Sequence, residues 1–548
     1  MAEHDTLDKI VEQIAASTSF VVEAGAGSGK TSSLIETLRY VVDQYGSDLR
    51  SRGQRIACIT FTNVAKDEIL SRLDQNPLMF VGTIHEFLWS VISKFQAELK
   101  PGVLEINAAN TKNPVPDLES VLNAVQVAYG QFGRHFDRGE VFHDDVIALS
   151  QILFSKYPKI ARIMADEYPF VFVDEYQDTS KLVVELLMDQ YATTTRKPVV
   201  GFFGDSMQQI YSSDLDDITK RSDLETITKL ENYRCSKAVI SVLNRLRPDL
   251  QQVPAGDNAE GDVHLFLSGS GNQDSYHSVM TQLAAQGWSE SNTKVLVLTH
   301  RGIAREVGYS QLLAAYGKLS FGNDRLNKHE EAYAEFFAMI ERIVDAYASG
   351  RTGDFLTLLG QAGYRVKKQT DKQAIFDFMQ QLLEIRASET VADMLAFVKS
   401  SRLIRVPSRV TSFEQKLADS DDDDTGSVQA KRDFQTLLLA VPYAEVVNFE
   451  AFTNDHTPFS TKHGVKGEEY ENVLIIIDDS LWTQYKFADV FSGNESNANR
   501  YERTRKLLYV CLSRAMSGLA VLSLTALTKP ELAGAEVLLG VQSADVVA

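Results

Sequence analysis

A chain of 548 residues exceeds what one ordinary hydrophobic core organises, and its length predicts roughly three or four domains. Its 44% hydrophobic and 24% charged content suits a soluble globular protein, the start Met1-Ala2-Glu3-His4-Asp5 carries no leader pattern, and apolar runs such as Val473-Leu474-Ile475-Ile476-Ile477 are too short to span a bilayer. The balance of 55 basic against 74 acidic residues, net −19, disfavours loose coating of a polyanion, yet it admits a narrow channel with its own basic lining or docking onto a more basic partner. Cys58, Cys235 and Cys511 are scattered without metal-ligand spacing, which makes a reduced cytoplasmic setting the simplest expectation.

The first predicted element is a strand at Phe20–Val22, which feeds Ala24-Gly25-Ala26-Gly27-Ser28-Gly29-Lys30-Thr31 and then a helix from Ser32. Glycines let the backbone curl so that successive N–H groups point at a polyphosphate, and the new helix adds its positive end to the same place. Lys30 would reach the terminal phosphates and the Thr31 hydroxyl would hold Mg²⁺, so this stretch predicts binding of a nucleoside triphosphate. Next come a buried strand at Ile56–Phe61, the pair Thr62-Asn63, a helix over Val64–Leu73, and a strand at Met79–Val81 leading to Gly82-Thr83-Ile84-His85-Glu86-Phe87. Strands alternating with helices predict a parallel α/β sheet.

From Trp89 to Pro169 the pattern turns helical and reads as an insertion. His143-Asp144-Asp145 within it reads as a polar helix start, because three adjacent helical residues cannot all face one ion. The sheet returns at Phe170–Val173, followed by Asp174-Glu175-Tyr176-Gln177-Asp178-Thr179, and at Val199–Phe203, followed by Gly204–Tyr211. After Leu230-Glu231-Asn232-Tyr233-Arg234 a second α/β pattern begins, including a strand at Val295–Thr299. Helices are predicted over Glu330–Tyr347, Lys372–Ile385 and Thr390–Lys399, with a solvated acidic loop at Asp419–Asp424. Strands are expected again at Val446–Phe452 and Val473–Ile477, then a helix over Glu502–Met516.

Hydrolysis needs a metal held by an acid at a strand end and a group that activates water. Asp174 and Glu175, directly after a buried strand, supply both: Asp174 for Mg²⁺ and Glu175 for the attacking water. Together, Ala24–Thr31, Thr60–Asn63, Asp174–Thr179, Gly204–Tyr211, Asn232–Arg234, Thr461–Tyr470 and Leu508–Ala515 resemble, in order, the motifs of superfamily 1 DNA helicases of the UvrD/Rep type.

That resemblance implies an α/β fold of two RecA-like parallel-sheet motor domains, each with a mainly helical insertion. The first motor domain is expected at 1–88 and 170–225 with its insertion at 89–169, and the second at 226–321 and 441–548 with its insertion at 322–440. It implies ATP and Mg²⁺ as cofactors, Gln208 as γ-phosphate sensor, Tyr233 against the adenine, Arg234 and Arg514 as arginine fingers, Gly467 and Glu469 at the nucleotide sugar, and Gln13 as an adenine contact, although Gln13 lies closer to the phosphate loop than the family's usual spacing. Phe61, Thr62, Asn63, His85, Tyr211 and His463 match positions facing single-stranded DNA. The chain departs from the family after Tyr211, where Ser212-Ser213-Asp214 replaces an aromatic residue followed by Arg-Gly-Ala. Arg402, Arg405 and Arg409 would give the second insertion a duplex-contacting patch or a solvated face.

The resemblance implies a motor moving 3′ to 5′ on single-stranded or tailed duplex DNA; no membrane partner is expected, and the stretch after Arg514, little more than a helix and a strand, predicts no appended nuclease domain. The compact build also resembles the helicase-like subunit of Gabija-type anti-phage systems, which work with a separate ATPase–nuclease subunit. A second reading follows: a DNA-responsive ATPase that switches such a partner while unwinding little.

Overall fold

Six short strands build the first sheet: β1 (Phe20–Ala24), β2 (Ile56–Thr60), β3 (Met79–Thr83), β4 (Phe170–Asp174), β5 (Val199–Gly204) and β6 (Glu225–Lys229), in the order β3-β2-β4-β5-β1-β6. Every pairing along it is parallel, so both faces need covering. The period of two divides the strand residues accordingly. Phe20, Val22, Cys58, Phe172 and Phe203 pack under Leu34, Leu38 and Val41 of the helix Lys30–Arg52. Val21, Ala57, Val171, Val173 and Phe202 face Phe87, Leu88 and the insertion residues Leu149, Leu153 and Met164. The first insertion therefore shares its core with the sheet. Parallel registry also brings the carboxyl ends of β1, β4 and β5 together, with Glu23 opposite Gly204 and Asp174 opposite Phe203. Such an edge is where open α/β sheets bind ligands.

A second sheet contains β7 (Asp262–Ser268), β8 (Thr293–Val297), β9 (Phe459–Ser460), β10 (Tyr470–Ile477), β11 (Ala515–Ser523) and β12 (Asp545–Val547), in the order β9-β8-β10-β11-β7-β12. Val295, Leu474 and Leu522 share one core with Ile340, Ile343, Leu382, Val398 and Phe434 of the helices that follow β8 in sequence.

This computed structural model describes all residues except 1, 61, 111–113, 131–132, 210–214, 216, 270–273, 299, 365, 402, 421–425, 455–458, 461–467, 482–483 and 548. By contacts, the chain forms two compact units: Met1–Val263 with Gly493–Gly518 and Val537–Gly540, and His264–Ser492 with Leu519–Glu536 and Val541–Ala548. The segment after β6 and the helix Ala498–Leu512 thus belong with the first sheet. Among the described residues no helix is long and apolar enough to cross a membrane.

Two elements differ from their expected form. The strand expected at Val446–Phe452 lies inside the helix Tyr443–Thr453. Its buried residues Tyr443, Val446, Phe449 and Glu450 recur at spacings of three and four, and a short apolar run does not by itself separate strand from buried helix. The helix expected through Met516 stops at Leu512, and β11 begins at Ala515, which leaves Arg514 in the turn between them.

Candidate active site

The phosphate-type loop is shaped by positive backbone angles and by what packs on it. Gly27 and Gly29 adopt φ of 71° and 75°, and Gly29 caps the helix Lys30–Arg52 without a side-chain hydrogen bond, so the first helical N–H groups face the loop. A Cβ on Gly27 would lie 2.8 Å from the Arg234 Cβ and from Asn232 Oδ1. The Ala26 carbonyl accepts from Asn232 Nδ2 and Gln252 Nε2, both at 2.9 Å, the Gly27 carbonyl accepts from the Tyr233 N–H at 2.8 Å, and the Ala26 N–H donates to the Tyr509 hydroxyl at 3.1 Å. Ser28 is buried, and its hydroxyl has no hydrogen-bond partner among the described residues. Ala24, Gly25 and Ala26 are buried, while Lys30 and Thr31 are half-buried at the helix start.

Asp174 ends β4 with its side chain buried. Burial first, then the charge of Glu175, lifts its carboxyl to about 7, with Lys30 opposing the rise. Glu175 follows at a φ of 49°, and its carboxylate accepts a hydrogen bond from Gln177. A buried carboxylate near a lysine, beside a glycine cradle with an unpartnered serine hydroxyl, fits a polyphosphate carrying a divalent cation. Thr31 and Asp174 are the residues that would hold that cation, and Glu175 the one that would orient water.

Arg514 is 1% exposed, and its Nη2 donates to Gln208 Oε1 at 3.0 Å. The Gln208 amide in turn donates to Asp205 Oδ2 at 2.8 Å. Burial, then the charge of Arg234, lowers the Arg514 pKa, while Glu175 opposes that shift. The Arg234 guanidinium reaches the Ser513 carbonyl at 3.5 Å. Tyr233 keeps 39% of its surface exposed, and its ring edge would sit 3.9 Å from a Cβ on Gly29. The expected residues Lys30, Asp174, Glu175, Gln208, Tyr233, Arg234 and Arg514 therefore gather on one loop within one compact unit.

Comparison with known proteins concerns the chain as a whole. An AAA domain family matches residues 8–214. The chain is 24% identical to the Gabija protein GajB of Bacillus cereus, over 95% of each chain. It is 19% identical to the ATP-dependent DNA helicase PcrA of Staphylococcus aureus, over 90% of this chain and 80% of that protein, and 20% identical to the Staphylococcus epidermidis PcrA over the same shares. These likenesses support a helicase of the UvrD/Rep superfamily 1 type.

Within this helicase-type site, one group of residues escaped sequence reading. Arg247, 1% exposed, donates to Asp205 Oδ1 at 2.6 Å and to Glu23, which also accepts from the Ser206 hydroxyl at 2.6 Å and from the Tyr176 hydroxyl. The Arg247 guanidinium lies 5.9 Å from the centroid of the Tyr509 ring. Burial disfavours its charge, but Asp205, Tyr509 and Glu23 together outweigh that and hold its pKa above the usual value. Glu23 immediately before the phosphate loop was the available signal, since a carboxylate on a buried strand requires a partner.

Each of the other expected residues has its own local setting. Gln13 is half-buried in the last turn of the helix Ala2–Ala15, and its carbonyl accepts from the Thr18 N–H at 2.9 Å. Glu469 is exposed just before β10, in the other compact unit. Thr62 is exposed and caps the helix Asn63–Arg72 by accepting from the Ala65 N–H at 3.2 Å. His85 is half-buried near the start of the helix Ile84–Ile92. Of the second insertion's arginines, Arg409 is engaged by Glu335 at 2.7 Å. Phe61, Tyr211, Arg402, His463 and Gly467 lie outside the described residues.

Proposed function

We propose that the chain is an ATP-dependent motor that moves 3′ to 5′ on single-stranded DNA and opens tailed duplexes. The observation that carries this reading is the gathering of Lys30, Asp174, Glu175, Gln208, Arg234 and Arg514 around one glycine loop. In this scheme Lys30 and the loop amides hold the phosphates of ATP, and Tyr233 offers its exposed face to the adenine. Mg²⁺, when bound by Thr31 and Asp174, supplies charge neutralisation across the phosphates. Glu175 accepts the proton of the attacking water, and Arg234 and Arg514 stabilise the charge that spreads over the transferring group. Such arginines are worth about 10³–10⁵ in rate, or about 4–7 kcal/mol. Gln208, bonded to Arg514 and Asp205, is the link by which phosphate release would reach the DNA-facing residues. The expected layout has motor domains at 1–88 with 170–225 and at 226–321 with 441–548; β6 (Glu225–Lys229) joins the first sheet across that boundary, and the segment to Val263 with Gly493–Gly518 belongs to the first compact unit.

A second reading rests on the similarity to the Gabija protein GajB over 95% of both chains. In it the chain is a DNA-responsive ATPase whose main task is to switch a separate nuclease subunit in phage defence. ATP hydrolysis measured with and without single-stranded DNA tests both readings, with Glu175→Gln as the inactive reference. Stimulation by the strand, together with unwinding of a 3′-tailed duplex, is the outcome expected of a motor. Stimulation without strand separation favours the switch, and no response to any DNA rejects both. Arg514→Ala is expected to lower turnover by about 10³ or more while nucleotide binding persists.

A further inference from the structure

Gln252 belongs to none of the sequence motifs, yet it lies directly on the glycine loop. The residue is 3% exposed although its side chain ends in a polar amide. One neighbouring side chain fixes its backbone twice: the Gln252 N–H donates to Asn244 Oδ1 at 2.7 Å, and the Gln252 carbonyl accepts from Asn244 Nδ2 at 2.8 Å. Asn244 stands near the end of the helix Lys237–Leu246, the same helix that Arg247 follows. The next two residues, Val253 and Pro254, run parallel to Glu231 and Asn232 as a short strand pair. A helix and a strand pair therefore both fix the point from which the Gln252 side chain starts.

What that side chain meets is the loop backbone. Its Nε2 donates to the Ala26 carbonyl at 2.9 Å, and its Oε1 accepts from Asn232 Nδ2 at 3.3 Å. Asn232, 0% exposed, donates to the same Ala26 carbonyl at 2.9 Å. Asn232 Oδ1 in turn accepts from the N–H groups of Arg234 and Cys235 at 3.0 and 2.8 Å, which fixes the turn carrying Tyr233 and Arg234. Ala26, Asn232 and Gln252 thus close a triangle of hydrogen bonds. A planar trans peptide points its carbonyl and its N–H to opposite sides. Two amides holding the Ala26 carbonyl therefore turn the Gly27 N–H, on the same peptide, away from themselves.

Gly25 supplies an independent observation. Its φ lies outside the left-handed region, so its backbone conformation does not itself call for glycine. A Cβ there would lie 2.4 Å from both Cδ and Nε2 of Gln252, far inside van der Waals contact. The missing side chain at position 25 is what admits the Gln252 amide to the loop.

We propose that Gln252 is a positioning residue for ATP binding, holding the Ala26–Gly27 peptide so that the Gly27 N–H faces the phosphates. This rests on the ATP-driven reading above. Gln252 does not touch the nucleotide in this scheme; it acts through the peptide. The contact it sets is made alike in the ground state and the transition state, and the loss of such a contact appears in KM rather than kcat.

Steady-state ATP turnover in the presence of single-stranded DNA, with KM and kcat separated, tests this in Gln252→Met and in the isosteric Gln252→Glu. Both variants remove the donor at nearly unchanged size. Each is expected to raise KM for ATP about tenfold or more, the worth of one hydrogen bond to a charged group, with kcat little changed. A variant that merely folds poorly would lose kcat through its smaller active fraction and keep its KM, so the split separates positioning from folding. Gly25→Ala is expected to raise KM as well. Combining it with Gln252→Ala should cost less than the two single changes together, because the amide that the new methyl group meets is gone. A parental KM in both Gln252→Met and Gln252→Glu overturns the positioning role alone, as does strict additivity with Gly25→Ala. Absence of ATP turnover by the parent chain overturns the ATP-driven reading and this role with it.

Discussion

Asp174 is a carboxylate placed where its charge is costly. Its carboxyl, lifted to about 7 by burial and by Glu175, titrates about three units above an unfolded aspartate near 3.9. Between those values the folded chain holds more protons than the unfolded one, so stability falls as pH rises through that window and levels off above it. Asp174→Asn is therefore expected to raise the Tm of the nucleotide-free chain at about pH 8, by roughly 2–4 °C for each kcal/mol relieved. It should also flatten the decline across roughly pH 5–7. Thermal melts over that range check this, and a variant that keeps the parental slope would show that another group sets it. ATP turnover should fall in the same variant, the exchange of stability for function common at catalytic sites.

Four separate elements are joined at Arg247. The residue ends the helix Lys237–Leu246 and binds Glu23 on β1 and Asp205 after β5, while Tyr509 on the helix Ala498–Leu512 lies against its guanidinium. Tyr509 also receives the Ala26 N–H of the phosphate loop, so the node touches the loop directly. Removing only the cation leaves two buried carboxylates unpaired, a change that costs about 3–5 kcal/mol. Arg247→Met is accordingly expected to lower the urea midpoint strongly. Adding Glu23→Gln and Asp205→Asn should recover part of that loss, because the buried charges leave with their partner. Strictly additive costs across this series would contradict a coupled node.

At the scale of the whole molecule, every residue of the proposed nucleotide cluster lies in the unit built from Met1–Val263, Gly493–Gly518 and Val537–Gly540. Calorimetry of the free chain is expected to show two transitions, with a non-hydrolysable ATP analogue and Mg²⁺ shifting one of them. Ligand at about a hundredfold over Kd would add about 2.7 kcal/mol to that unit. A single transition that moves as a whole would show instead that both units unfold together.

Sequence alone determined the parts whose chemistry is local in the chain. The strand–loop–helix from Phe20, the acid pair after β4 and the alternation of strands and helices are written in contiguous residues, because a glycine cradle and a strand-end carboxylate need only their immediate neighbours. Ordered motifs extended this to Gln208, Arg234 and Arg514. What only the tertiary structure decided was which distant side chains meet. Arg514 lies 306 positions from Gln208 and Arg247 lies 224 from Glu23, and no local spacing encodes such encounters. The same holds for His143, which opens a helix as its sequence predicts but which only the fold brings beside Tyr129 and His85. It holds for Tyr443–Thr453, whose helical form follows from packing in the second core rather than from its short apolar run. Propensity and motif act over a few residues, whereas burial pairs charges and rings across the whole chain.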